Sequence, residues 1–339
     1  MKISLVTGGA GFIGSHFVEM LHDRFPEDKV VVLDVFTYAA SPDNISERIR
    51  SSGRFELVKG DICDMKLVDE LVARSHRVVH FAAESHVARS IGTDRPFFET
   101  DVMGTQSVAA AVSRHPVDRF VHISTSEVYG TAQCRPMDET HPLDPCTPYA
   151  AAKAGADRLV FAYKKTYGIP TVIIRPFNNY GPRQHVEKVI PRFITQALLN
   201  EDLTVHGDGS MTRDWLYVAD TCEAVLRALM KPGIDGSVIN VGTGHDVAIN
   251  EIARRILDLV PGTKSKIRTV PQRPGQVDCH ISSRLRSAAT LDWNPNVTLV
   301  EGLARTVHWY RDNEPWWRRI LHEREVSVAS DGRGVRGLW

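Results

Sequence analysis

Through the first half of this chain, short β-branched runs alternate with longer amphipathic stretches, and that alternation limits the fold more than any other feature. KISLVT, KVVVLD, FELVKG, RVVHFAA and RFVHIST are separated by helix-like segments, and IPTVIIRP at residues 169–176 supplies a sixth run. Strands apolar at nearly every position are buried on both faces, and joining them in parallel requires crossover helices. The expected fold class is therefore α/β, a doubly wound parallel sheet with helices on both faces. After YGPR at 180–183 the rhythm changes. Pro, Gly and Trp become frequent, as in VHGDGSMTRDWLYVAD, and a smaller α/β lobe is expected. The expected division is 1–180 for the sheet domain, whose sheet and helices later segments can complete, 181–320 for the lobe and 321–339 for a tail. The final SVASDGRGVRGLW has glycines and no periodicity, as a loosely held tail would.

Composition removes several functional classes. With 339 residues, 42% of them hydrophobic, the chain can bury a substantial core. Lys plus Arg and Asp plus Glu stand at 41 each, so nothing in the overall charge attracts nucleic acid or an acidic membrane. The opening MKISLVTGG is apolar only briefly before glycines interrupt it, so it reads as a first strand and not a signal peptide. No segment is apolar for the length of a bilayer span. The five cysteines (Cys63, Cys134, Cys146, Cys222 and Cys279) are scattered and form no Cys-x-x-Cys pair, so neither a disulfide framework nor a zinc site is expected. His185, His206 and Asp208 lack metal-ligand spacing and read as loop residues. No metal is expected, and the expected location is the cytoplasm.

Two motifs carry chemistry. TGGAGFIGS places Gly8, Gly11 and Gly14 between a strand-like and a helix-like run. Glycine is needed where the strand turns, where backbone approaches a pyrophosphate and where the helix packs on the sheet. The spacing is Gly-x-x-Gly-x-x-Gly, looser than the common dinucleotide pattern, and alone it also fits a plain tight turn. Asp34 closes the second run about twenty residues further on, where a carboxylate binds both ribose hydroxyls and repels a 2′-phosphate. That favours NAD over NADP. GDICD offers Asp61 and Ile62 beside a base, although Asp61 or Asp64 could equally cap a helix. The second motif is PYAAAK, where Tyr149 and Lys153 fall on one helical face. A neighbouring ammonium is expected to lower the phenol pKa and make Tyr149 a proton acceptor.

With these motifs, and with AAESHVARSI, STSEVYG, RPFNNYGPR, EKVIPRFI, GDGSMTRDWLYVAD and RPGQVD, the chain resembles the extended short-chain dehydrogenase/reductases that act on nucleotide sugars. The resemblance covers about residues 1–320 and is nearest in phrasing to the dTDP-glucose 4,6-dehydratase group. It implies a Rossmann-like domain and an NAD that is reduced and reoxidised within one turnover. The implied cofactor contacts are Gly8, Gly11, Phe12, Ile13, Gly14, Asp34, Asp61, Ile62, Ala82, Tyr149 and Lys153. A nucleotide-diphosphate sugar would be held by Ser85, Asn179, Lys188, Arg213 and Arg273, and the implied assembly is a homodimer. Tyr149 would deprotonate the sugar 4-hydroxyl, Lys153 would hold the cofactor ribose, and Thr125 would bind the reacting oxygen. Glu127 would remove the C5 proton that the 4-ketone makes acidic.

Ser126 departs from that group, which carries aspartate there to protonate the leaving 6-hydroxyl. The Thr-Ser-Glu triplet is similar to GDP-mannose 4,6-dehydratases, in which one glutamate can serve as base and then acid, and also to UDP-glucuronate decarboxylases. Ala88, where the dTDP-glucose group has aspartate, loosens the inference to glucose. EKVIPRFI and RPGQVD favour a 4,6-dehydratase. A 4-epimerase or UDP-glucuronate decarboxylase on the same scaffold remains the alternative. A catalytically inactive NAD-sensing protein is a reading of another class, and intact Thr125, Tyr149 and Lys153 stand against it.

Overall fold

The computed structural model describes residues 1–272, 274–324, 327–329 and 336–338. Each expected run is a strand: β1 (Ile3–Thr7), β2 (Lys29–Asp34), β3 (Phe55–Lys59), β4 (Arg77–His80), β5 (Arg119–Ile123) and β6 (Thr171–Pro176). The next three, β7 (Asn178–Tyr180), β8 (Leu203–His206) and β9 (Thr212–Tyr217), leave this sheet, and β10 (Val238–Val241) returns to it. The order is β10-β6-β5-β4-β1-β2-β3, with every pairing parallel. Chain direction across the sheet reverses between β1 and β4, and ligands of open α/β sheets bind beyond the carboxyl ends of the strands at such a point.

Alternation along the strands explains why both faces need helices. Val6, Val32, Val79 and Val121 pack against Phe17, Val18 and Leu21 of helix Phe12–Arg24 and Cys222, Val225 and Leu229 of helix Val218–Met230. Leu5, Val31, Leu33, Val78 and Phe120 point the other way, onto Val68 and Leu71 of helix Met65–Ala73, Val108 and Val112 of helix Thr105–Arg114, and Val160 of helix Pro148–Tyr167. Fully burying one such side chain contributes about 1.5–3 kcal/mol, so the two faces together account for much of the folding drive.

The lobe is built around β9, which lies between β7 and β11 (Asp246–Ala248), while β8 pairs with β12 (Ile267–Val270). Its core gathers Phe193, Trp215, Ile252, Ile256, Leu303, Val307, Tyr310 and Trp317. Asp214, wholly buried on β9, accepts from Thr243 N (2.7 Å), Gly244 N (2.9 Å), Ser282 N (3.1 Å) and both hydroxyls, so one carboxylate fixes two loops to the strand. Near the end of the chain, Ser327–Ala329 (β13) pairs antiparallel with Arg336–Leu338 (β14), and Glu323 forms an ion pair with Arg89 at 2.5 Å.

Candidate active site

At the switch point a cavity of about 530 Å³ opens between sheet and lobe. Gly8 sits at its edge with φ +68°, and a Cβ there would lie 2.5 Å from the Ala82 nitrogen, so only glycine fits the turn. Gly14 backs onto the Gly8 carbonyl, where a side chain would collide. Gly11 precedes helix Phe12–Arg24 in extended backbone with no side-chain cap, which leaves the first amides of that helix available to an anion. Asp34 accepts from Ala10 N (3.0 Å, Oδ2) and Phe36 N (2.9 Å, Oδ1). Burial raises its pKa and those amide bonds oppose the rise. Each of its oxygens retains a lone pair for a ribose hydroxyl. Asp61 accepts from Cys63 N at 2.8 Å, and Asp64 caps helix Met65–Ala73 by accepting from Lys66 N and Leu67 N.

Tyr149 and Lys153 project from the first turns of helix Pro148–Tyr167, which begins with a Thr147 cap and Pro at its first position. Lys153 donates to the Ile123 carbonyl at 2.8 Å. The lowered phenol pKa expected from the sequence is not found. Burial foremost, then the carboxylates of Asp101 and Glu127, push the Tyr149 pKa up, and only the Thr125 hydroxyl bond lowers it. Burial also lowers the Lys153 pKa, against the pull of Asp101 and Asp157. Tyr-Lys spacing alone therefore does not make the phenol acidic, because burial outweighs a partner four residues away. Asp101 has one oxygen bonded to Glu84 N (2.8 Å) and the other without a partner, and burial raises its pKa to about 7.

The triplet follows β5 in a tight turn. Thr125 is extended and accepts from Glu127 N at 3.2 Å, which opens the single turn Ser126–Tyr129. Glu127 keeps 16% of its side chain exposed, toward the cavity, whereas Ser126 is buried and lies 3.4 Å from His280 Nδ1. Arg213 is almost wholly buried beside Glu127, and burial lowers its pKa while the glutamate raises it. Behind the triplet, Arg175 of β6 donates to both oxygens of Asp157 (2.8 and 2.9 Å) and to the Tyr129 hydroxyl (2.8 Å). Tyr129 in turn donates to Asn240 at 2.7 Å. This buried network joins the dyad helix, the triplet turn and β10.

The residues expected to contact cofactor or substrate lie on this cavity: Gly8, Gly11, Phe12, Ile13, Gly14, Asp34, Asp61, Ile62, Ala82, Ser85, Asn179, Lys188 and Arg213, together with the triplet and the dyad. Arg273 lies outside the described residues. Asn179 donates to the Phe177 carbonyl (2.9 Å) and accepts from Thr221, and Lys188 donates to the Ser85 carbonyl at 2.6 Å, so both side chains are held by the chain itself. Among the described residues no group of three metal-ligating side chains occurs, and no helix is long and apolar enough to cross a membrane.

The model of the family described as GDP-mannose 4,6 dehydratase matches residues 5–306. The chain belongs to this family. It is 43% identical over 334 residues to a dTDP-glucose 4,6-dehydratase of Streptomyces niveus, covering 97% of this chain and 99% of that one. It is also 46% identical over 307 residues to the low-salt glycan biosynthesis protein Agl12 of Haloferax volcanii, covering 90% and 97%. Among solved structures, a double mutant of the dTDP-glucose 4,6-dehydratase DesIV from Streptomyces venezuelae, with NAD and DAU bound, superposes with a TM-score of 0.90 at 40% identity. That match covers 94% of this chain and all of that one. A UDP-glucose 4-epimerase of Thermotoga maritima superposes at 0.86 with 29% identity, covering 92% and 99%. Family membership accounts for the motifs read above. Sequence reasoning missed Asp101 and His280. Neither has a partner at helical spacing, and His280 meets Ser126 across 154 residues.

Proposed function

We propose that this chain is an NAD-dependent nucleotide-sugar 4,6-dehydratase in which Tyr149, Lys153 and Thr125 serve the oxidation step and Glu127 the elimination. The observation that supports this reading is a carboxylate, Glu127, lining the same cavity as the Tyr149 phenol and suited to act as a second base. A 4-epimerase needs only the first base. NAD is the cofactor: it takes hydride from C4 of the sugar and returns it at C6. Gly8, Gly11, Phe12, Ile13 and Gly14 would receive its pyrophosphate, Asp34 its ribose hydroxyls, and Asp61, Ile62 and Ala82 its base end, with Lys153 on the second ribose.

Tyr149, as the phenolate that the positive nicotinamide of bound NAD would favour against burial, accepts the proton of the 4-hydroxyl, and Thr125 bonds the same oxygen. With C4 a ketone, Glu127 takes the proton from C5 and delivers it to the departing 6-hydroxyl, so that Ser126 need not be an acid. Ser85, Asn179, Lys188, Arg213 and Arg273 are assigned to the nucleotide-diphosphate sugar, where arginine suits paired phosphate oxygens. The relatives' names make dTDP-glucose the first substrate to try. On the same reading residues 1–180 and 181–320 are the cofactor and sugar-nucleotide portions, and the protein is a cytoplasmic homodimer. Its five cysteines, all free, suit a reducing compartment.

The test offers UDP-, dTDP-, GDP- and CDP-sugars in deuterated water and weighs the products. A dehydratase gives a product lighter by one water with deuterium at C5. Glu127→Gln should still oxidise C4 and then stall with reduced cofactor. An unchanged mass without C5 exchange would identify a 4-epimerase, and carbon dioxide from a uronate a decarboxylase.

A further inference from the structure

Behind Glu127 lies a side chain with no part in the scheme above. His280, on the segment between β12 and helix Leu285–Leu291, is fully buried. Its Nε2 is 2.9 Å from the Gly130 carbonyl oxygen. A carbonyl only accepts, so Nε2 carries the proton and Nδ1 of the neutral ring is an acceptor. Burial favours the neutral ring and lowers its pKa to about 4. The charge of Glu127 opposes this, while Arg213 and His141 add to it. The Nδ1 lone pair faces two groups: the Ser126 hydroxyl at 3.4 Å, which donates to it, and Glu127 Oε1 at 3.8 Å. An ionised carboxylate offers that lone pair nothing. A protonated one offers an O–H, after a closing movement of roughly 1 Å to reach hydrogen-bond range.

We propose that His280 is a positioning residue for elimination: its Nδ1 accepts a hydrogen bond from Glu127 once Glu127 holds the C5 proton. This rests on the dehydratase reading. The C5–H bond breaks, its electron pair enters the enolate of the 4-ketone, and the proton resides on a Glu127 oxygen. The C6–O bond then breaks with its pair on oxygen, and the proton passes from Glu127 to that oxygen as water leaves. His280 gains and loses no proton. Its bond stabilises the protonated Glu127 that C5–H cleavage creates and is released as the O–H turns to the departing oxygen, and the Ser126 hydroxyl keeps the ring from turning while Glu127 is ionised.

Two substitutions separate the nitrogens. His280→Asn places an amide near Nδ1 and gives up the Gly130 bond, and His280→Gln places one near Nε2 and gives up the acceptor. Each is given the nucleotide sugar that the native protein dehydrates in the panel above, and reduced-nicotinamide absorbance is followed alongside product mass. His280→Gln should oxidise C4 within about twofold of native, accumulate reduced cofactor and lose water about tenfold to a hundredfold more slowly, the range expected for one hydrogen bond to a reacting group. His280→Asn should eliminate at least about threefold faster than His280→Gln. Unimpaired elimination in His280→Gln, an equal slowing of oxidation and elimination, or no recovery in His280→Asn would overturn the proposal. Nitrogen-15 histidine spectra of the native protein give a check that does not depend on either variant folding. They should show His280 Nδ1 unprotonated, and a protonated Nδ1 defeats the proposal. If the native protein neither reduces its cofactor nor releases water, the dehydratase reading itself falls.

Discussion

The two groups of the cavity to which we assign the chemistry are built in opposite ways. Tyr149 and Lys153 come from one turn of one helix, so their relation is set by helical geometry and survives any change elsewhere that leaves the helix in place. His280 meets Ser126 across 154 residues, and its relation to Ser126 and Glu127 depends on the 274–283 segment returning to the turn and loop after β5. Surroundings differ as well. The dyad is the more buried, beside Asp101, Asp157, His80 and His122, whereas Glu127 is more open to the cavity. Both groups line the cavity, but the proton affinity of the more deeply buried one depends more on its neighbours and on what binds there.

The largest expected effect breaks the dyad alone. Tyr149→Phe removes the proposed proton acceptor and little volume, so sugar-nucleotide binding by calorimetry should persist while turnover falls by at least ~10²–10⁴. Near-native turnover would move the base elsewhere. Next in size, Arg175→Ala should damage both groups together, because Arg175 ties Asp157 of the dyad helix to Tyr129 of the triplet turn. Removing one partner of a buried ion pair costs about 3–5 kcal/mol, which urea denaturation would show. A loss under about 1 kcal/mol would mean that the two groups are held independently.

The smallest effect sharpens the contrast in burial. Burial raises the Asp101 pKa to about 7, against the pull of Lys153, so the folded protein binds this proton more tightly than the unfolded chain does. Its contribution to stability is present below the ordinary aspartate range and is lost as pH rises through about 7. Asp101→Asn should flatten that part of the stability profile measured by denaturation at a series of pH values. A profile parallel to the native one would show that Asp101 ionises freely in the fold.

Much of the sheet was legible because β1 to β6 are continuous apolar runs, and such runs fit only a sheet covered on both sides. The seventh strand, VINV at 238–241, was not picked out: four residues among glycines carry little pattern, and β6 supplies the edge that makes them a strand. Asp64 and Asp61 were interchangeable in GDICD until the main chain showed that Asp64 caps the helix and Asp61 binds Cys63. The Tyr149 pKa was misjudged in direction, since spacing reveals a neighbouring lysine but not the depth of burial or the charge of Asp101.

The sequence alone determined the glycine turn, the strand-closing Asp34, the triplet and the Tyr149–Lys153 pair, because each is a local arrangement whose geometry follows from a few consecutive backbone angles. Tertiary structure decided that His280 stands behind Glu127, that Arg175 joins the Tyr149–Lys153 helix to the triplet turn, and that the proton affinities of Tyr149 and Asp101 rise. Those depend on distances between segments far apart in the chain and on how much water is excluded around each group, and neither quantity is carried by the order of residues within any one segment.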